Sequence, residues 1–218
     1  MSRRMSKRLT TSSFAVLSLL ALRPWSGYDL TRQATRSLRF AWPKSERLLY
    51  AEPKKLVDLG MATSHEEVDG GRRRTIYTIT DQGRTALREW MATEVDPPVL
   101  EAEALLRLLF ADHGSLDDAV ATLDRFAADA DEIHRQVLDI NATYLDGGHP
   151  FPDRVHVSVL FATFQLEFFD LIRRWSEFAK AEIAEWPATE GLGMTDRTRE
   201  MLEAMVANRP IIPPPERG

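Results

Sequence analysis

Cysteine is absent from the 218-residue chain, which excludes a disulfide framework, a thiolate metal site and a cysteine nucleophile. The five histidines do not follow the spacing of metal ligands, and no glycine-rich phosphate-binding loop occurs. Carboxylates are plentiful, but pairs such as Asp129 and Asp131 stand two residues apart and so do not share a helix face. We therefore expect no enzymatic activity, no catalytic residues, no metal site and no cofactor.

Long apolar runs are also scarce. No uninterrupted run approaches the roughly 20 residues that span a bilayer, so we expect no membrane partner. The N-terminus carries basic residues followed by the apolar stretch from Phe14 to Leu22, as in a secretory signal. Arg23-Pro24-Trp25 stands where a small-residue cleavage site would be required. We interpret this stretch as the first helix of a folded domain and expect a cytoplasmic protein.

Charge is unevenly distributed along the chain. Residues 1–92 contain 17 basic and 9 acidic residues, a net +8, whereas residues 93–218 contain 11 and 24, a net −13. This asymmetry indicates different partners for the two parts of the chain, and the basic part would attract a polyanion.

Three helices are predicted in the basic part. The first runs to about Leu22 and is apolar enough to be buried. Ser26 and Asp29 have the spacing of a capping box at the start of the second helix, in which Tyr28, Leu30 and Leu38 are the expected buried contacts.

The third helix is predicted over residues 45–59, where Gly60 is a natural stop. A helical wheel places Arg47, Tyr50 and Lys54 on one side, and the leucines at 48, 49, 56 and 59 on the other. Pro53 removes an amide donor and crowds the preceding turn, so we expect either a kink or a restart of the helix at that residue.

A β-hairpin follows the three helices. Asp69-Gly70-Gly71 is a turn signal, and Thr75 to Ile79 have the β-branched and aromatic composition of a strand. Arg72, Arg73 and Arg74 lie at the mouth of the hairpin, and Thr80 caps a fourth helix. Three helices and a hairpin in a basic unit predict a winged helix-turn-helix that binds DNA, with the arginines neutralising phosphates.

Residues 10–90 resemble the PadR family of bacterial transcriptional regulators. The resemblance rests on short motifs in a characteristic order and spacing, of which the most informative are Ser26-Gly27-Tyr28-Asp29-Leu30, Leu59-Gly60-Met61 and Arg74-Thr75-Ile76-Tyr77-Thr78-Ile79-Thr80 with Gly83. The resemblance implies a homodimer that represses transcription and releases its DNA on binding an effector. It also implies that the third helix meets DNA through Lys44, Ser45, Arg47, Tyr50 and Lys54. Packing of Tyr50 against the hairpin is an equal alternative.

The acidic part is predicted to be helical. A long helix capped by Ser115 is followed by a second that runs from about Pro152 to Trp186. The second has an apolar stripe at alternating spacings of four and three, typical of a helix-packing seam. The stripe consists of Val157, Phe161, Phe164, Phe168, Leu171, Trp175 and Phe178.

We predict a dimer interface along this stripe, through Val157, Phe161, Phe168, Leu171 and Phe178. A weaker hypothesis is that Trp90, Phe161, Phe164 and Trp175 line a pocket for a small aromatic effector.

The predicted fold class is mainly α with a small β-hairpin: an N-terminal winged helix-turn-helix plus a C-terminal helical dimerisation domain. The expected parts are the winged helix over 1–92, a linker over 93–98, the helical domain over 99–207 and a disordered tail over 208–218. The predicted function is a homodimeric repressor that binds an inverted-repeat operator in double-stranded DNA and is released by an effector. The alternative is a protein-interaction adaptor whose winged helix binds protein instead of DNA.

Overall fold

The computed structural model describes residues 9–38, 40 and 46–212. These residues form two compact units that separate after Pro98. The first unit is a three-helix core with a small sheet and one further helix. Its elements are α1 (Thr11–Leu22), β1 (Trp25–Ser26), α2 (Gly27–Leu38), α3 (Glu46–Asp58), β2 (Ala62–Asp69), β3 (Arg72–Ile79) and α4 (Asp81–Met91).

Helix α1 forms the centre of this unit, as its apolar composition predicts. Val16, Leu17 and Leu20 are almost completely buried, and α1 contacts α2, α3, α4 and β3. Its N-cap is Thr10, whose side chain accepts a hydrogen bond from the Ser13 amide. A helix packed on all sides has no polar face to align, which explains why its apolar residues do not follow a clear stripe.

The second helix begins as the capping-box spacing predicts. The Ser26 hydroxyl donates to the Asp29 carboxylate at 2.7 Å, and the Asp29 amide donates to Ser26 Oγ at 3.1 Å. Leu30 is buried, but Tyr28 is 64% exposed, so its expected burial is wrong. Position 28 lies about 200° around the helix from Leu30 and therefore on the opposite side.

The sheet contains one strand more than the hairpin that the sequence indicates. Its order is β1-β3-β2, with both pairings antiparallel. β1 pairs Trp25 with Tyr77. Gly70 and Gly71 connect β2 to β3 with φ of +56° and +80°, the left-handed values that a two-residue hairpin turn requires. The predicted turn is therefore present.

Gly83 allows α4 to pack closely against the start of the sheet. A Cβ at this position would lie 2.2 Å from the Met61 carbonyl oxygen and 2.9 Å from Ile79 Cγ1. The carbonyl belongs to the backbone and also accepts the Thr80 amide at 3.0 Å, so it cannot move without breaking that bond. Gly83 is thus required by the fold of this unit.

We expect Gly83→Ala to destabilise the protein by roughly 1–3 kcal/mol, the usual cost of overpacking a filled site. Thermal unfolding followed by circular dichroism would measure this. Gly27→Ala is a useful comparison because the nearest atom to its added Cβ is Tyr77 Cε2 at 3.5 Å, an ordinary contact distance. A Gly83→Ala protein as stable as the wild type would contradict the close-packing interpretation.

The second unit is helical. Its elements are α5 (Glu103–Leu109), a 3₁₀ turn (Ala111–His113), α6 (Leu116–Leu145), a second 3₁₀ turn (Pro152–Arg154), α7 (Val155–Ala184) and α8 (Asp196–Val206). Ser115 caps α6 through a reciprocal capping box with Asp118, as predicted. Residues 213–218 of the expected disordered tail lie outside the described part of the chain.

Helices α6 and α7 form a long hairpin. One end is closed by a cluster of Ala119, Leu123, Ala179 and Ile183, and Lys180 Nζ reaches Asp124 Oδ1 at 2.7 Å. At the loop end the His149 ring is buried, with Nδ1 accepting the Phe151 amide and Nε2 at 2.8 Å from Ser158 Oγ. The loop thereby fixes where α7 begins.

One helical segment corrects an expectation about membranes. Pro152–Ala184 is long and apolar enough to cross a bilayer by length and composition, contrary to the expectation that no segment would approach this. The sequence interpretation considered uninterrupted apolar runs, whereas this segment includes His156, Glu167 and Asp170 between its apolar residues. Core helices of soluble proteins that are mostly buried meet the same criterion, but 11% of this window is buried within the chain.

Candidate nucleic-acid interface

Helix α3 presents one face to the core and another to solvent. Leu49, Pro53 and Leu56 are buried, whereas Tyr50 is 50% exposed and Lys54 is exposed. The helix continues through Pro53 without the predicted restart. The exposed face is the one that the helical wheel indicates. Lys44 and Ser45 lie outside the described residues, as does the Arg47 side chain.

A buried polar cluster attaches α3 to α1. The Ser13 hydroxyl donates to Glu52 Oε2 at 2.7 Å, Lys55 Nζ donates to Ser13 Oγ at 2.9 Å, and Lys55 and Glu52 are 3.4 Å apart. Ser13 is fully buried and Glu52 is 4% exposed. The sequence interpretation missed this cluster, although Glu52 stands three residues after Leu49 and four before Leu56 and so occupies the buried face of α3.

The hairpin forms a wing that projects from the sheet. All three arginines that begin β3 are exposed. Side chains alternate along a strand, so Arg72 and Arg74 lie on one face of the wing and Arg73 on the other. The structure therefore brings three cations to the end of one hairpin, as the sequence predicts.

Two of these arginines have an acidic residue directly opposite them in the register of β2 and β3. The register pairs Asp69 with Arg72, Val68 with Arg73 and Glu67 with Arg74. Arg73 also forms an exposed ion pair with Glu66, 3.3 Å from Nη1 to Oε2. Directly opposed charges attract across a sheet, so part of the arginine charge is compensated within the wing, which the sequence interpretation did not foresee.

The proposed dimer stripe on α7 stands apart from the face that packs against α6. The buried residues of α7 are Ala162, Phe169, Ser176, Ala179 and Ile183. Phe164 is 65% exposed, Phe161 is 39% exposed, and Val157 and Leu171 are exposed to a similar extent. Phe168 and Phe178 are half-buried. A contiguous apolar surface of this kind marks an interaction site.

The four residues proposed for effector binding are divided between the two units. Trp90 in the first unit stacks on Phe14, with ring centroids 4.8 Å apart. In the second unit, Phe161 and Phe164 are exposed, whereas Trp175 packs against the cluster of Ala119, Leu123, Ala179 and Ile183. Trp90 and Trp175 thus have packing roles in their own units.

Within residues 9–38, 40 and 46–212, no group of three or more histidine, aspartate or glutamate side chains is placed to hold a metal ion. The functional features found are the exposed face of α3, the wing and the apolar surface of α7.

Comparison with known proteins finds a family match in the first unit. Residues 16–89 match the family described as "Transcriptional regulator PadR-like family". The chain is 28% identical over 133 residues to the "Negative transcriptional regulator PadR" of Bacillus subtilis. The aligned segment covers 60% of this chain and 71% of that protein. The similarity inferred from the sequence motifs is therefore confirmed.

Solved structures show the same fold. One is a crystal structure of Bacillus subtilis PadR in complex with operator DNA, with a TM-score of 0.68 and 24% identity. The match covers 78% of this chain and 98% of that chain. A crystal structure of the same protein in complex with p-coumaric acid covers 80% and 96%, with a TM-score of 0.61 and 25% identity. The fold class inferred from the sequence is thus confirmed.

Proposed function

Because the chain is a transcriptional regulator of the PadR type and not an enzyme, we propose that it is a homodimeric repressor that binds an inverted-repeat operator and releases it on binding a small molecule. The similar Bacillus subtilis protein is named a negative regulator and has been crystallised with operator DNA. This function also assigns the protein to the cytoplasm, where its DNA target is found.

The observation that carries the proposal is the joint exposure of α3 and the wing in a basic unit. An α-helix fills the major groove of B-DNA, and a wing can reach the adjacent backbone. Tyr50 and Lys54 are available on the outer face of α3, and Arg72, Arg73 and Arg74 on the wing. We propose that Lys44, Ser45 and Arg47 extend this surface at the N-terminal end of α3.

A homodimer is supported by the apolar surface of α7. Val157, Leu160, Phe161 and Phe164 are exposed within less than three helical turns, and a second copy of the same surface would cover them. A two-fold dimer places equivalent surfaces against each other. It would also present two α3 helices to DNA, which accounts for an inverted repeat.

Selection from a pool of random duplexes with the purified full-length protein tests the DNA proposal. We expect enrichment of an inverted repeat whose half-site centres lie about 34 Å apart, one turn of B-DNA, or a multiple of that distance. An adaptor that binds protein through its winged helix is the alternative. Failure to retain any duplex, specific or random, at low salt, where phosphate contacts are strongest, would favour the adaptor.

Effector release has its own test, with p-coumaric acid and related aromatic acids as probes. If the aromatic side chains of the second unit at 161, 164 and 175 bind the effector, ligand should quench tryptophan fluorescence and weaken operator binding over the same concentration range, because a ligand shifts an equilibrium by its differential affinity. Phe164→Leu keeps an apolar side chain for the dimer surface but removes the aromatic face, so we expect it to reduce both responses. Unchanged fluorescence and unchanged operator affinity across the panel would refute an aromatic effector.

A further inference from the structure

The Ser13–Glu52–Lys55 cluster is held by hydrogen bonds, whose strength depends on the orientation of the groups that form them. Leu49, Pro53 and Leu56 hold α3 against the unit through apolar contacts, which depend weakly on orientation. The Glu52 carboxylate, in contrast, accepts a 2.7 Å hydrogen bond from a single hydroxyl on α1. Hydrogen bonds lose their strength quickly as the geometry departs from linear, so this bond defines how α3 is rotated about its axis.

The burial of Glu52 makes other rotations of α3 unfavourable. Glu52 is 4% exposed, and its two partners among the described residues are Ser13 and Lys55. A buried carboxylate without partners is costly, so a rotation of α3 by one residue, about 100°, would remove Glu52 from its partners. The same rotation would also turn Tyr50 and Lys54 away from the outer face of α3 that is proposed to meet DNA.

We propose that Glu52 is a positioning residue that sets the rotation of α3, and thereby the base discrimination of the protein, while contributing little to its stability. This inference rests on the proposed DNA-binding function. Replacing a buried ion pair by apolar groups is often neutral or stabilising, and fixing a unique arrangement is one use of such pairs. Phosphate contacts, which supply sequence-independent affinity, do not depend on the rotation of α3 to the same degree.

Glu52→Leu is the informative variant because it leaves no group stranded. Ser13 Oγ still accepts the Thr10 amide at 3.1 Å and lies 3.1 Å from Thr10 Oγ1. The Lys55 side chain is 36% exposed and can turn to solvent. The variant should therefore fold, with an unfolding temperature equal to or above that of the wild type.

Two further variants serve as controls. Glu89→Leu makes the same change at an exposed position on α4 and so matches the change in charge and composition. Leu56→Ala truncates a fully buried side chain on the same helix. It should lower the unfolding temperature strongly without removing the directional bond.

The experiment measures binding of each protein to a duplex enriched by selection with the wild type, and to a random duplex of equal length. We expect Glu52→Leu to lower the ratio of specific to random affinity by at least tenfold, with the affinity for random duplex and its salt dependence within about twofold of wild type. Glu89→Leu should retain the ratio. Leu56→Ala should retain it at temperatures well below its own midpoint.

The outcomes separate the two proposals. If the wild type enriches no duplex, the DNA-binding function fails. If it does so and Glu52→Leu keeps the wild-type ratio, the function stands and the positioning role of Glu52 is overturned. It is also overturned if Glu52→Leu loses affinity equally for both duplexes, or if its unfolding temperature falls as far as that of Leu56→Ala, since the cluster would then act through stability.

Discussion

Phe164→Asp should convert the protein from a dimer of about twice 24.8 kDa into a monomer of 24.8 kDa, as measured by light scattering. Phe164 is 65% exposed in the single chain, so a carboxylate there is hydrated in the monomer. In the proposed dimer it would be buried in both copies of an apolar interface, where an unpaired charge is strongly unfavourable. Operator affinity should fall by more than about 1,000-fold, because two half-sites bound by one dimer gain from effective concentration.

The matched control is Val159→Asp on the same helix. Val159 is 44% exposed and lies about 140° around α7 from Phe164, outside the stripe. The Val159→Asp protein should keep the molecular mass of the dimer in light scattering. Phe168→Asp is less informative, because the Phe168 ring packs edge-on against the buried Phe169 at 5.4 Å, and a charge there would also disturb the monomer. A Phe164→Asp protein that remains dimeric would place the interface elsewhere.

Replacement of Arg72, Arg73 and Arg74 together by alanine should weaken binding to specific and random duplexes alike, by about 100-fold at low salt. Phosphate contacts carry little sequence information, and each one lost lowers the slope of log affinity against log salt by about 0.9. Fluorescence anisotropy over a salt series measures both quantities. An unchanged slope would show that these arginines do not contact DNA.

The acidic partners within the wing provide a second arm of this experiment. Glu66→Gln removes the charge that faces Arg73 while keeping the size of the side chain. We expect it to strengthen binding to any duplex, because Arg73 then contacts phosphate without losing an ion pair. Glu94→Gln makes the same change at an exposed position in the connection that follows α4 and should have a smaller effect. Equal effects of the two variants would indicate only a change in net charge.

Much of the first unit was predictable because its signals are local. Caps act over three or four residues, as at Ser26 and Thr80, and the Gly70-Gly71 turn is determined by the left-handed φ values that glycine adopts most readily. The exposed face of α3 follows from helical periodicity alone. The winged-helix fold could be inferred in this way, and the order and spacing of the motifs indicated the regulatory class.

Errors arose where one residue had two compatible environments. Tyr28 is apolar enough to be buried, but the capping of α2 at Ser26 fixes the helix phase that exposes it. The two-residue strand Trp25–Ser26 was not foreseen because it is too short to show alternation, and it exists only through its pairing with β3. The Pro152–Ala184 segment was underestimated because its polar residues interrupt the apolar runs without removing its overall apolar character.

The sequence by itself determined the order of elements, the basic character of the first unit and the apolar stripe on α7, since each depends on residue type and spacing along one segment. Only the tertiary structure decided that Val157, Phe161, Phe164 and Leu171 of this stripe stay exposed in the single chain, that acidic residues lie opposite two of the wing arginines, and that Glu52 is joined to Ser13. These arrangements depend on register and rotation between segments that are distant in sequence: Ser13 and Glu52 are 39 residues apart, and Asp124 and Lys180 are 56 residues apart. Packing of the whole unit selects them, because many registers satisfy the local preferences of each segment and few also fill the core and pair its buried polar groups.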